Sequence, residues 1–215
     1  MGRGPVGAPA LIKYNDQSIS AVTEIAAAAK DAMVLITTVT ASDDSSTDFV
    51  HGTNDVVLDS TYPVYLFKFI NIHPGTNDKE MHIYFTTDGT NWNASKTTTW
   101  FNAVHDAAET YTGGPAYNTN RDVQGTGAQT LTQSVGNEND ESCSGEMWLF
   151  NPSSTTFVKH FLTHVSTKWE AGDAESDDFG AGYVNTTSAV TGVRFIFNSG
   201  NIDSCTFKLY GIKDS

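Results

Sequence analysis

The chain has 215 residues, enough for one large β-sandwich with an additional arm. Hydrophobic residues make up 39% and aromatic residues 11%, so a core can form, while only 17% are charged and the polar remainder is dominated by Thr, Ser, Asn and Gly, a composition that suits a turn-rich β domain. The net charge of −13, from 25 acidic against 12 basic residues, argues against a nucleic-acid surface and against docking on anionic lipid.

Residues 1–16 are rich in Gly, Pro and Ala, show no hydrophobic period, and read as an extended arm. They contain no apolar h-region, so no secretory signal is expected, and no apolar stretch is long enough for membrane insertion. The reading is a chain made in a cytoplasm. Ser18–Ala32 is Ala-rich, can be capped by Ser18 or Ser20, and places Ile19, Val22, Ile25, Ala26 and Ala29 on one helical face. A short helix is expected, packed either on its own domain or on another subunit.

From Met33 the pattern changes to strands. Met33–Thr40 is β-branched and bounded by Ser42–Ser46. Tyr65–Ile72 reads as a central strand ending at His73-Pro74-Gly75, and Met81–Thr86 stops at the turn dipeptide Asp88-Gly89. Further strands are expected over Thr97–Phe101, Gly145–Phe150, Phe157–Ser166, Ala189–Asn198 and Thr206–Ile212. Within the last, Phe207 and Leu209 should face the core and Lys208 and Tyr210 the outside. The stretch from about 102 to 142 is irregular, with a helical turn expected in Ala103–Thr110, and a loop of that length suggests a contact role. Seven or more strands separated by polar turns indicate a mainly β fold, an antiparallel, jelly-roll-like β-sandwich over 33–215 preceded by an arm and short helix over 1–32.

Several segments in the C-terminal half are distinctive: Ser144–Thr156, Val158–Phe161, Gly182–Val190 and the closing Phe197–Ile212, with Ser199-Gly200-Asn201 placed to reverse the chain. With Asp59–Pro74, they resemble virion structural proteins of marine tailed phages, cyanophages among them, over roughly residues 33–215. The resemblance implies a β-sandwich found in tail, fibre or other virion components, and it implies no catalytic residue. Cys205 stands where a small residue such as Gly or Ala is usual in that group.

Residues with potential chemistry give little direction. His160 and His164 share a strand face but sit about 13 Å apart along it, too far to share a metal. The acidic runs Asp43-Asp44, Glu138–Glu141 and Glu170–Asp178 read as solvated loops and lack EF-hand spacing. Cys143 and Cys205 form no metal or redox motif, and whether they pair is open. No GxSxG, HExxH or phosphate-cradling glycine loop is present, so no enzyme activity and no cofactor is expected.

The aromatic, polar loops around Trp92-Asn93 and Tyr111–Asn120, Tyr117 included, have the composition of glycan or partner contacts, or pack under their own loops. The expectation is a structural component of a tailed-phage virion, a tail fibre, baseplate or tail-associated homotrimer. It would attach to other phage proteins through arm residues such as Arg3, Pro5, Val6, Pro9 and Leu11. The alternatives are capsid decoration and a host-glycan-binding module.

Overall fold

The computed structural model describes residues 32–111 and 114–214. The arm, with Arg3, Pro5, Val6, Pro9 and Leu11, and all of the expected helix except Ala32 lie outside the described residues. The β-branched run forms β1 (Met33–Asp44), followed by β2 (Thr47–Val50) and the apolar β3 (Val64–Pro74). β4 (Met81–Thr86) ends in the Asp88-Gly89 turn, where Gly89 takes the left-handed φ of 78° that favours glycine. β5 (Lys96–Asp106) leads into three short strands, β6 (Ala116–Tyr117), β7 (Gln124–Gly125) and β8 (Gln129–Thr130). The chain closes with β9 (Cys143–Phe150), β10 (Lys159–Trp169), β11 (Ala174–Val184), β12 (Gly192–Phe197) and β13 (Ile202–Ile212).

Three sequence expectations are corrected. Ala103–Asp106 is not a helical turn but the end of β5, held in register by Asp106, His105, Val104 and Ala103 opposite Ala174–Asp177. Ala189–Thr191 is not strand, since β12 starts at Gly192. The acidic run ending at Asp178 is not simply a solvated loop. From Ala174 it is β11, with Ser176 and Asp178 fully buried on one face and Glu175 exposed on the other.

All strand pairs are antiparallel and form two sheets. The nine-stranded sheet runs β1-β13-β3-β9-β10-β11-β5-β6, with β7 also paired to β5, and the four-stranded sheet runs β2-β12-β4-β8. Between them lies an aromatic cluster, Phe49 and Phe195 from the small sheet against Phe67, Phe69 and Phe207 from the large one, with centroid spacings of 5.0 to 6.2 Å. Phe207 and Leu209 are fully buried, as expected. Close strand approach requires glycine at position 145, where a Cβ would overlap the His164 carbonyl oxygen. Cys143 and Cys205 are buried free thiols, and burial pushes the Cys143 thiol up.

Beyond the small sheet's edge, the inner face of β10, β11 and β5 is covered by the irregular stretch instead of a strand layer. Gln133 donates its backbone N–H to Asp178 Oδ2 at 2.8 Å, Thr167 Oγ1 donates to the same oxygen at 2.8 Å, and Ser176 Oγ donates to Oδ1 at 2.6 Å. Asn102 Nδ2 in turn donates to Ser176 Oγ at 2.9 Å. Burial outweighs these hydrogen bonds and pushes the Asp178 carboxyl up to about 7. Arg121 lies over the Trp100 ring at 4.8 Å and donates to the Thr132 carbonyl at 3.0 Å, to Gln133 Oε1 at 2.6 Å and to Glu80 Oε1 at 2.7 Å. Most of the long loop expected to make contacts is therefore a polar plug that completes the domain.

Candidate functional site

The face of the nine-stranded sheet turned away from the small sheet is the most distinctive surface among the described residues. Inner and outer faces alternate along each strand, so Tyr65, Phe67 and Phe69 in the core place Val64, Leu66 and Lys68 outside. Register then fixes two neighbouring cross-strand rows. One runs Leu35, Tyr210, Leu66, Trp148, Leu162, Ala181 and Thr99. The next carries Met33, Ile212, Val64 and Phe150, then His160, Tyr183 and Thr97. Met33, Leu35 and Leu162 are 45%, 51% and 49% exposed, whereas Leu66 between them is only 2% exposed, so the stripe is open to approach in part. Ala181 is the small member of its row, and a depression of about 440 Å³ opens beside it, bordered by His160, Leu162 and Tyr183.

A third row is charged at its centre and aromatic toward β6. It runs Thr38, Lys208, Lys68, Glu146, His164, Phe179, Phe101 and Tyr117. Burial alone would raise the Glu146 carboxyl, but hydrogen bonds from Lys68 and Trp148 prevail and hold it below the usual range. His164 contacts Asp177, and its ring stacks on Phe179 with centroids 4.3 Å apart, while Phe179 stacks on Phe101 at 4.9 Å. Rings stacked on one another in this way give their faces to each other, leaving mainly edges for an incoming group. This arrangement suits packing against protein better than stacking on a sugar.

The contact residues read from the sequence lie in three separate places. Trp92, in the turn after β4, packs under the Arg194 guanidinium at 4.3 Å, and Arg194 itself forks onto Asp48. Asn93 beside it is exposed. Tyr111 is 42% exposed with its ring 5.4 Å from Trp169, whereas Tyr117 is 57% exposed at the β6 edge and donates its hydroxyl to Asp122. We expect Trp92→Ala to lower stability by about 1 kcal/mol through loss of the cation–π contact, read as a shift of the urea midpoint. An unchanged midpoint would show that Trp92 is free for other contacts.

The apolar rows were missed at the level of sequence, although a signal existed. Tyr65-Leu66-Phe67 and Met147-Trp148-Leu149-Phe150 are continuous apolar runs, whereas a strand with one wet face alternates. Among the described residues, no group of three or more His, Cys, Asp or Glu side chains is placed to hold a metal ion. In comparisons with the models of protein families, with curated proteins and with solved structures, the chain matches none. Among the described residues, fold and surface define an antiparallel β-sandwich whose large sheet carries a partly exposed apolar outer face.

Proposed function

We propose that this chain is a structural component of a tailed-phage virion, a tail-associated subunit that docks through its N-terminal arm and projects a jelly-roll sandwich. The observation that carries the reading is the strand order. β1-β13-β3-β9 stands opposite β2-β12-β4-β8, the arrangement made when a long hairpin is wound across two sheets. β10, β11 and β5 to β7 are insertions that widen one sheet. Two of the segments resembling phage virion proteins lie in this frame: Ser144–Thr156 supplies most of β9 and the turn after it, and Phe197–Ile212 supplies the β12–β13 turn and all of β13, next to the edge strand, whereas Val158–Phe161 and the start of Gly182–Val190 fall on the inserted β10 and β11.

The arm residues Arg3, Pro5, Val6, Pro9 and Leu11 would attach to other particle proteins, and the sandwich would assemble as a homotrimer, the exposed sheet surface supplying contact area. Quantitative mass spectrometry of purified particles tests this. The expected result is the chain at on the order of tens of copies per particle, as befits a tail. Hundreds of copies would replace tail placement with capsid decoration, and absence from the particle would overturn the reading altogether.

A further inference from the structure

The plug is stitched down on two sides. Toward the small sheet, Leu131 N–H donates to the Met81 carbonyl at 2.8 Å and Thr132 Oγ1 accepts from Met81 N–H at 2.9 Å. Val135 exchanges both backbone hydrogen bonds with Lys79, at 2.8 and 3.1 Å. Toward the large sheet, the Ser134 carbonyl accepts from Glu170 N–H at 2.9 Å, and Gln133 N–H reaches Asp178. Leu131, Thr132 and Val135 are fully buried, so residues 131–135 close over the Asp178 carboxyl.

Asp178 is fully buried and, among the described residues, forms no ion pair. β10 presents Thr167 to it, and β5 presents Asn102 by way of Ser176, none of them titratable. β9 presents the Cys143 thiol, which burial and the Asp178 carboxyl both push up. From the plug side come the Gln133 N–H and Arg121. The Arg121 guanidinium favours a charge on Asp178 from a distance but directs its hydrogen bonds to Glu80, Gln133 Oε1 and the Thr132 carbonyl.

The neutral acid fits these partners. Oδ2 accepts from Gln133 and Thr167, while a proton on Oδ1 can be donated to Ser176 Oγ, a hydroxyl that already accepts from Asn102. The ionised form keeps the contacts but leaves a charge in a dry site, which costs more than its hydrogen bonds offset. That charge reaches water only when the plug lifts. We propose that Asp178 is a pH-operated latch: its neutral carboxyl lets residues 131–135 seat against β11, and its ionisation loosens that segment while the aromatic core stays closed. The segment follows β8, a two-residue strand at the edge of the small sheet, so it can part from β11 without disturbing the pairing of β3, β9 and β13.

The sign follows from linkage. In water the carboxyl titrates near 3.8, and under the plug near 7, so opening releases a proton and is favoured as the pH rises between these values. From about pH 5.5 to about pH 8 the opening equilibrium should rise about thirtyfold.

Hydrogen exchange read by mass spectrometry on the full chain tests the latch, with protection corrected for the intrinsic pH dependence of exchange. Residues 131–135 should be less protected than β3 and β13 and unaffected by dilute urea, as a local opening requires. Their protection should fall about thirtyfold over that pH range. Asp178→Asn, which keeps an acceptor for Gln133, should hold it level. Protection of 131–135 that is independent of pH, that falls equally in Asp178→Asn, or that matches β3 and responds to urea with it would overturn the proposal. The pH and urea profile of the unaltered chain decides the matter by itself if the variant does not fold.

Discussion

Replacing Asp178 by Asn should flatten the pH dependence of stability between about pH 4 and 8. In the unfolded chain this carboxyl titrates near 3.8, whereas in the folded protein burial holds it protonated up to about 7. The folded state thus keeps a proton that the unfolded state has already released. Below pH 4 both states hold it and there is no penalty. As the pH rises toward 7, stability falls by up to about 4 kcal/mol, and above that it stays level. Asn carries no such titration and retains the geometry. Its Oδ1 can accept from Gln133 N–H and Thr167 Oγ1, and its Nδ2 can donate to Ser176 Oγ. The urea midpoints of the two proteins should therefore be close at pH 4 and separate progressively, with the variant the more stable at pH 8. An offset independent of pH would contradict the burial argument.

Arg121→Ala should be among the most damaging single changes outside the aromatic core, costing about 3 kcal/mol by urea denaturation. It removes the contact with Trp100 and three hydrogen-bonded partners, and it leaves Glu80, a half-buried carboxylate, with only His82 at 3.5 Å. Burial alone would raise the Glu80 carboxyl, and His82 and Arg121 together hold it down, so its loss of Arg121 is felt at neutral pH. Arg121→Lys should recover less than half of the loss, because one ammonium cannot reproduce the planar fork. Arg121 also favours the ionised form of Asp178, so the double variant with Asp178→Asn should be less destabilised than the sum of the single changes. A loss under about 1 kcal/mol for Arg121→Ala would mean that the plug is not held by this residue.

What the sequence revealed follows the physics of each element. β1, β3, β4, β9 and β13 were legible because β-branched and aromatic runs end in strong turn residues, such as Asp88-Gly89 and Ser199-Gly200-Asn201. β11 was not, because it opens on Ala174-Glu175-Ser176-Asp177-Asp178 and carries Gly180 and Gly182. Its strand state is imposed by pairing with β10 on one side and β5 on the other, a tertiary override of weak propensity. Gly182 is required there, since a Cβ would overlap Thr98 and the Thr97 carbonyl. The extension of β5 through Ala103–Asp106 was hidden for the same reason, as its partner strand was itself unread.

Candidate sites were less legible than the fold. Trp92 and Tyr117 stand out by composition, but the fold alone brings Arg194 over Trp92 and Asp122 to the Tyr117 hydroxyl. The outer face was concealed because its rows are assembled from seven strands distant in sequence. Leu35, Tyr210, Leu66, Trp148 and Leu162 become neighbours only through register.

The most direct test of the central proposal is a density map of the intact particle. The predicted result is a tail-associated, threefold-related set of sandwiches, each with a four-stranded sheet against a nine-stranded one and with residues 3–11 seated in a neighbouring particle protein. A particle map complete at its tail and capsid surfaces with no such domain would contradict it.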